Sequence, residues 1–289
     1  MHDRFTLTND QFALDGCRIC IPHLGWVRLR ETLRFTGKIL SATVSRVGDR
    51  WFVSIAVDTQ DNSHRPQAEN QGAVGVDLGV SALATLSTGE TIAGSKPHKA
   101  LLTRLRRPSR SLSRKQKGSA NRRKARAQRA KRHARVAAIR SDALHELTTA
   151  LTRRFPPIGI EDLTVRGMVK NRHVARSIAD RGFFEFRRQV ESKAAMRGGP
   201  VVVAARFYAS SKTCSVCGHK LDVLPLSVRE WTCPACGVIH ARDVHAAGNL
   251  KNRAVSSTAS ACGEAGAGSG RQARVKPSAM TQDGSVVPV

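Results

Sequence analysis

Ala73-Val74-Gly75-Val76-Asp77-Leu78-Gly79-Val80 is the stretch on which the fold turns: small and apolar residues, strand-length, interrupted by one acid. A continuous apolar run of this kind, without polar alternation, fits a strand covered on both faces, as in the sheet of an α/β domain. A carboxylate is costly to bury there, so Asp77 stands out. The texture continues through Leu83 to Leu86, followed by a Thr88-Gly89-Glu90 turn, and returns at Ile158 to Leu163 around Glu161 and again at Val201 to Ala204.

Between the second and third of these strands, residues 100–155 read as a basic helical hairpin. Leu101, Leu102 and Leu105 begin one helix, Gly118-Ser119 breaks it, and Val136, Ile139, Ala143, Leu147 and Leu151 make an apolar stripe on the other. From Leu101 to Arg140 there are sixteen Lys or Arg and no Asp or Glu. The candidate nucleic-acid contacts are Arg104, Arg106, Arg107, Arg114, Lys115, Arg122, Arg123, Lys124, Arg126, Arg129, Lys131 and Arg132. Pro156-Pro157 ends the hairpin, and a further helix with the face Ile178, Phe186, Val190 and Ala194 stops at Gly198-Gly199-Pro200.

The formal charge of +26, from 48 basic against 22 acidic residues, exceeds what solubility needs and implies a polyanionic partner. An anionic membrane is the weaker candidate, because no run of about 18 apolar residues is present. Met1 to Asp10 lacks the apolar core of a signal peptide, and cytoplasmic residence follows as the expectation. Nucleic acid is the expected partner, with no membrane.

Six of the seven cysteines fall in C-x-x-C pairs, which suits metal chemistry in a reducing compartment better than disulfides. Cys214-x-x-Cys217, fifteen residues, then Cys233-x-x-Cys236 is a four-cysteine zinc pattern, within a ribbon over 213–238. Four thiolates leave no open position, so this one zinc is structural, and His219, His240 and His245 are surplus to it. Cys17 and Cys20 have no second pair nearby and read as ordinary strand residues.

Residues 1–60 have an all-β texture, with Gly48-Asp49 as a hairpin turn; Asp61 to Gln71 reads as a linker. Ala241 to Asn252 reads as a short Ala-rich helix, and 256–289, rich in Ser, Gly and Ala, as a disordered tail.

Asp77, Glu161 and Asp243, the last directly after the cysteine module, are the candidate catalytic acids. Converging carboxylates raise one another's pKa unless cations intervene. Two Mg²⁺ ions about 3.5 to 4 Å apart would supply that charge and suit phosphodiester hydrolysis.

Gly75-Val76-Asp77-Leu78-Gly79, Glu161-Asp162-Leu163, Ser210-Ser211-Lys212-Thr213-Cys214, Arg229-Glu230-Trp231-Thr232-Cys233-Pro234 and Arg242-Asp243 together resemble the TnpB or OrfB family of insertion-sequence proteins, over about residues 5 to 255. The resemblance implies an RNase H-like (RuvC-like) α/β nuclease domain over 72–255. It would carry the basic hairpin and the ribbon as insertions, and a partial β-barrel segment would precede it. It implies a metal-dependent, RNA-guided DNA endonuclease of a bacterial or archaeal transposon, often called a transposase, acting at the nucleoid with a guide RNA from the transposon end. By motif the catalytic acids map onto Asp77, Glu161 and Asp243. Ala241 and His245 depart from the usual acid and Asn of the last motif. Members usually begin with a further basic, helix-containing region, so the chain reads as N-terminally truncated. Two other classes stand beside this one: a catalytically idle nucleic-acid-binding remnant, and a zinc-ribbon module of the transcription or ribosomal kind, which would not need Asp77 and Glu161 in strands.

Overall fold

The computed structural model describes residues 4–59, 66–225, 227–263 and 285–288. The chain divides into two compact units, 65–100 with 138–269, and 1–64 with 101–137 and 270–289.

The first of these is α/β. Its five-stranded sheet contains β7 (Val74–Leu78), β8 (Ala84–Leu86), β9 (Thr91–Ile92), β10 (Ile158–Glu161) and β11 (Val201–Ala204), after six strands of the other unit, in the order β11-β10-β7-β8-β9. β7, β10 and β11 are parallel, and β8 and β9 are antiparallel to their neighbours. Val74, Val76, Leu86, Ile158 and Ile160 form its core with Leu144, Leu147, Leu151, Phe183, Phe186 and Val190.

Those last residues come from helices. α1 (Pro97–Ser113) and α2 (Ala120–Arg154) form the expected basic segment, with the turn where Gly118 takes φ 85°. The stripe on α2 differs from its sequence reading: Leu144, Leu147, Thr148 and Leu151 are buried, whereas Ile139 is 37% exposed. Counting back from Leu151 in steps of three and four gives Leu147, Thr148 and Leu144, and Ile139 falls off that face. Thr148 is tolerated there because its hydroxyl is partnered by Gln189, 3.0 Å away. The expected single helix over Ile178 to Ala194 is also corrected. Two short helices follow a brief α3 (Val165–Met168): α4 (Ala175–Arg181) and α5 (Phe183–Met196), parted by Gly182 at φ 70°. All four expected apolar residues are nevertheless buried.

A buried pair at the end of α4 braces the sheet. Asp180 accepts from the Nα–H groups of His98 and Lys99, capping the start of α1. Arg181, 2% exposed, donates to the carbonyls of Val80, Ser81 and Gly94, fixing the loop that follows Asp77.

The ribbon strands β12 (Glu230–Thr232) and β13 (Ile239–Ala241) pair antiparallel, and β13 runs directly into α6 (Arg242–Gly263). α6 corrects the short-helix expectation: it runs past Ser256 into the stretch read as tail, favoured by its alanines and by buried Leu250 and Ala254. Residues 264–284 and 289 of that tail lie outside the described residues.

In the other unit, β1 (Arg4–Thr8), β5 (Lys38–Val47), β6 (Arg50–Asp58) and β14 (Ser285–Pro288) make one antiparallel sheet. β2 (Ala13–Asp15), β3 (Arg18–Ile21) and β4 (Gly25–Arg28) make another. Alternating residues of both, among them Leu7, Ile19, Ile21, Ala42, Val44, Val53 and Ile55, fill one core. The pairings form these two sheets, with no ladder closing them into one barrel among the described residues. Gly48 (φ 67°) and Asp49 turn the β5–β6 hairpin as expected, Cys20 is a β3 residue, and Cys17 lies in the turn before it. β14 is a second correction to the tail: Val286 and Val287, β-branched, pair with Ser54 and Val53 on the free edge of β6. No described helix is long and apolar enough to cross a membrane.

Candidate functional site

Asp77 is the fourth residue of β7, which has β10 beside it in parallel. The pairs Ile158↔Val74, Gly159↔Gly75 and Ile160↔Val76 bring Glu161, next along β10, level with Asp77. Asp243 arrives from the other direction, in the first turn of α6. That helix lies backbone-on-backbone over the two strands: a Cβ on Gly75 would overlap the Ala247 carbonyl oxygen, and one on Gly159 the Leu250 carbonyl oxygen. Asp243 is one turn before Ala247 on the same helix face, and so faces the strand ends.

The electrostatics register this convergence. Asp77 is raised from the ordinary 3.8 to about 7, first by burial, then by the charges of Glu161 and Asp243, with Arg242 opposing. The site therefore favours a proton or a cation.

Two positioning residues went unseen in the sequence reading. Glu161 accepts the hydroxyl hydrogen of Ser210, itself buried. Asn249, buried on α6, donates through Nδ2 to the carbonyls of Ser210 and Thr213, both at 2.7 Å. An amide among Ala246, Ala247 and Leu250, on a face otherwise apolar, was the available signal. Asp162 turns to the opposite side of β10, where Arg187 (2.6 Å) and Arg206 (3.0 Å) hold its carboxylate well below the usual range, the Arg206 hydrogen bond being the larger cause. Asp243 has Arg229 at 3.5 Å, an exposed pair and so a weak one.

The four expected cysteines come together: the sulfurs of Cys214, Cys217, Cys233 and Cys236 all lie within 4.8 Å of one another. They are the one such group of metal-binding residues among the described residues, and could hold one metal ion. Two matching knuckles build the cluster. The Gly218 N–H bonds back to the Cys214 carbonyl and the Gly237 N–H to that of Cys233, with φ 74° and 73° at the two glycines. The Cys214–Cys236 and Cys217–Cys233 sulfurs are 3.7 and 3.6 Å apart. A tetrahedron with bonds of about 2.3 Å has an edge of about 3.8 Å, so these two sulfur pairs already have the edge length of a closed four-thiolate site. Thiols this close resist joint ionisation. Cys236 is pushed up to about 12, the backbone N–H of Val238 pulling down while desolvation and the sulfurs of Cys217, Cys233 and Cys214 outweigh it.

The histidines are neighbours of this cluster, outside its four ligands. His240 Nε2 is 3.2 Å from Cys214 Sγ, within hydrogen-bond reach of a thiolate. His245 Nε2 accepts from the Ser215 N–H at 3.0 Å, and burial, followed by His240, lowers its pKa to about 4. Its ring is thus neutral at pH 7 and braces the first knuckle against α6, with the His240 ring 3.9 Å from it and Trp231 packed beside both.

The basic residues separate into two groups. Arg104, Arg106, Arg107, Arg114, Arg123, Lys124, Arg126, Arg129 and Arg132 are exposed. Arg104, Arg107, Lys131 and Arg132 line an open groove of 940 Å³ between α1 and α2, together with Ser111 and Gln128. Two of the expected nucleic-acid ligands also have partners within the chain. Arg122 donates to the Leu112 and Lys115 carbonyls and closes the hairpin; Lys131 pairs with Asp49 at 2.7 Å. Lys115 is half-buried. Changing Arg123, Lys124, Arg126 and Arg129 together to Gln should weaken DNA binding and flatten its log–log salt dependence by roughly 0.7 to 0.9 for each phosphate no longer neutralised. Binding titrations between 50 and 200 mM salt measure both, and an unchanged slope would mean that this is only a solvated basic face. Arg122→Gln should instead reduce stability.

Comparison with known proteins places the chain among transposon-type proteins. Residues 53–172 match the OrfB family described as "Probable transposase", and residues 183–250 match "Cas12f1-like, TNB domain". A protein of Streptomyces pristinaespiralis that carries the provisional name RNA-guided DNA endonuclease is 46% identical over 225 residues, 78% of this chain and 54% of its own length. InsQ of Escherichia coli, under the same provisional name, is 35% identical over 93% of this chain and 69% of its own length. The chain thus spans about half the length of the first relative. The protein in a structure of a Cas12f1–sgRNA–target DNA complex matches with a TM-score of 0.51 at 16% identity, covering 74% of this chain and 46% of that one, a likeness of fold.

Proposed function

The chain belongs to the OrfB (TnpB) family of transposon-encoded proteins, and we propose that its α/β unit is the RuvC-like nuclease of a DNA endonuclease, with Asp77, Glu161 and Asp243 as its catalytic acids. The observation that carries this is the convergence of the ends of β7 and β10 with the first turn of α6, where burial and then the charges of Glu161 and Asp243 raise Asp77 to about 7. The sheet, with three parallel strands and two antiparallel ones at the edge, supports an RNase H-like assignment.

Oxygen ligands that repel one another fit Mg²⁺, and the three acids would hold two such ions. When bound, Mg²⁺ supplies positive charge to the reacting phosphodiester and lowers the pKa of water. Ser210 fixes the Glu161 carboxylate and Asn249 fixes Ser210, so this acid is oriented by a chain of hydrogen bonds that starts on α6. The exposed cations of α1 and α2 hold nucleic-acid phosphates, and the four thiolates hold one structural zinc. DNA is the substrate, a guide RNA the partner, and the bacterial or archaeal cytoplasm, at the nucleoid, the location. The N-terminal sheets are a β-barrel segment in this reading.

The test is cleavage of plasmid and oligonucleotide DNA by the 289-residue chain and by a version carrying the additional residues of the longer Streptomyces pristinaespiralis relative, with its RNA. Mg²⁺-dependent cutting that EDTA stops is expected. Cutting by the longer version alone would identify this chain as an idle nucleic-acid-binding remnant; cutting that survives EDTA would overturn the metal mechanism.

A further inference from the structure

The loop that leaves β11 for the ribbon is fastened to both of the consecutive acids that close β10. Arg206 grips the Asp162 carboxylate through Nε at 3.2 Å and Nη2 at 3.0 Å, and Ser210 donates to Glu161 on the other side. Between these anchors the backbone turns tightly, with the Tyr208 N–H on the Ala205 carbonyl and the Ser210 N–H on that of Tyr208. Asn249 holds the Ser210 carbonyl from α6.

On this fastened loop Phe207 is 93% exposed, the most of any large exposed hydrophobic side chain among the described residues. Phenylalanine normally gains by burial, and a ring held in water by an anchored backbone is placed to meet something. Its position selects the partner. The ring lies on the loop that grips both Glu161 and Asp162, in a chain of net charge +26, so what approaches here is a polyanion carrying flat apolar faces. Arg206 and Tyr208 on either side make no wide apolar patch of the kind that a protein surface would cover.

We propose that Phe207 is a stacking platform for an unpaired nucleobase of the strand whose phosphodiester reaches Asp77, Glu161 and Asp243. The proposal rests on the nuclease reading of those acids. Stacking on an aromatic face is indifferent to base identity and contributes affinity without adding an ionic contact. It would hold one nucleotide splayed from its neighbours, which a site recessed at the strand ends needs if it is to receive the backbone.

The experiment uses the full chain with Asp77→Ala, so that the strand is not cut, and a single-stranded DNA containing 2-aminopurine. Binding should quench its fluorescence. Adding Phe207→Ala should remove the quench and lower affinity by roughly 5- to 100-fold, with the salt slope unchanged. Phe207→Trp should restore both, and Phe207→Leu should not. Retention of affinity and quench by Phe207→Ala or Phe207→Leu, or an absence of quench in the parent, overturns the proposal. Unchanged DNA binding with altered light scattering would also overturn it, in favour of an apolar protein contact. The nuclease reading fails separately: cutting that persists with the three acids replaced refutes it whatever the stacking result.

Discussion

Asp77→Asn is expected to abolish divalent-ion-dependent DNA cleavage and, in metal-free buffer, to raise the thermal midpoint of the protein. A loss on the order of 10²- to 10³-fold or more in rate is the scale for removing a group that acts on the reacting charge. The stability gain has a separate origin. Asp77 titrates near 7 instead of 3.8 because ionising it is opposed by burial and by Glu161 and Asp243. At about 1.4 kcal/mol for each tenfold change, that displacement corresponds to at most roughly 4 kcal/mol of opposition above pH 7, less what solvent screens. An uncharged amide of the same shape escapes it. A gain of about 1 to 2 kcal/mol would move the midpoint by roughly 2 to 8 °C. A residue kept for structure should show the reverse, so calorimetry separates the two; a lowered midpoint with cleavage intact would sink the catalytic assignment.

The sign with pH follows from the same displacement. The folded chain binds the Asp77 proton more tightly than the unfolded chain does, so the metal-free protein loses stability as pH rises from about 4 to about 7. Divalent ions displace that proton, so their apparent affinity should fall as pH drops through about 7. Glu161→Ala and Asp243→Ala should abolish cleavage as Asp77→Asn does. Asp162→Ala should retain more, because its carboxylate serves Arg187 and Arg206 on the other side of the strand.

The sheet was legible because it writes itself in one dimension. A buried parallel strand is a continuous apolar run, and one acid inside it, as at Asp77 and Glu161, is conspicuous. Asp243 was legible by position alone, next to the cysteines. What brings it to the others was not: Gly75 and Gly159 look like ordinary strand glycines until α6 is laid across them. Ser210 carries no local signal of the carboxylate it orients, Asn249 shows only as an amide on an apolar helix face, and Arg181 resembles any other arginine in a basic chain, though it is buried under three carbonyls. Charge counting located the basic segment that became α1 and α2 but could not tell Arg122, turned inward to close the hairpin, from Arg123, exposed to solvent. The composition of the tail suggested disorder, and the described part of α6 shows helix there, since alanine-rich sequence lacks bulk while retaining helix propensity.

Cys233→Ser should release the one zinc per chain and unfold residues 213–238 while leaving the five-stranded sheet in place. The ribbon has little else to hold it: its buried cluster is Cys214, Leu224, Trp231 and Cys233, too few side chains for a self-sufficient core. Structural zinc contributes on the order of 10 to 16 kcal/mol of apparent binding energy in modules of this kind, so three remaining thiolates cannot be expected to preserve the fold. Elemental analysis of protein purified without chelator should find one equivalent of zinc in the parent and none in the variant, and proteases should cut within the ribbon of the variant alone. The damage should reach the proposed catalytic acids along one path. β13 ends at Ala241 and Asp243 stands in the first turn of α6, where Arg242 is tied back to the ribbon through Pro225 and Arg229. With the ribbon unfolded those ties go and the first turn of α6 frays, while Gly75 and Gly159 still seat the helix from Ala247 onward. Cleavage should therefore fall far more than DNA affinity, which the cations of α1 and α2 supply. A parent without zinc would refute the metal centre, and a zinc-free variant that cuts normally would show that Asp243 is held by α6 alone.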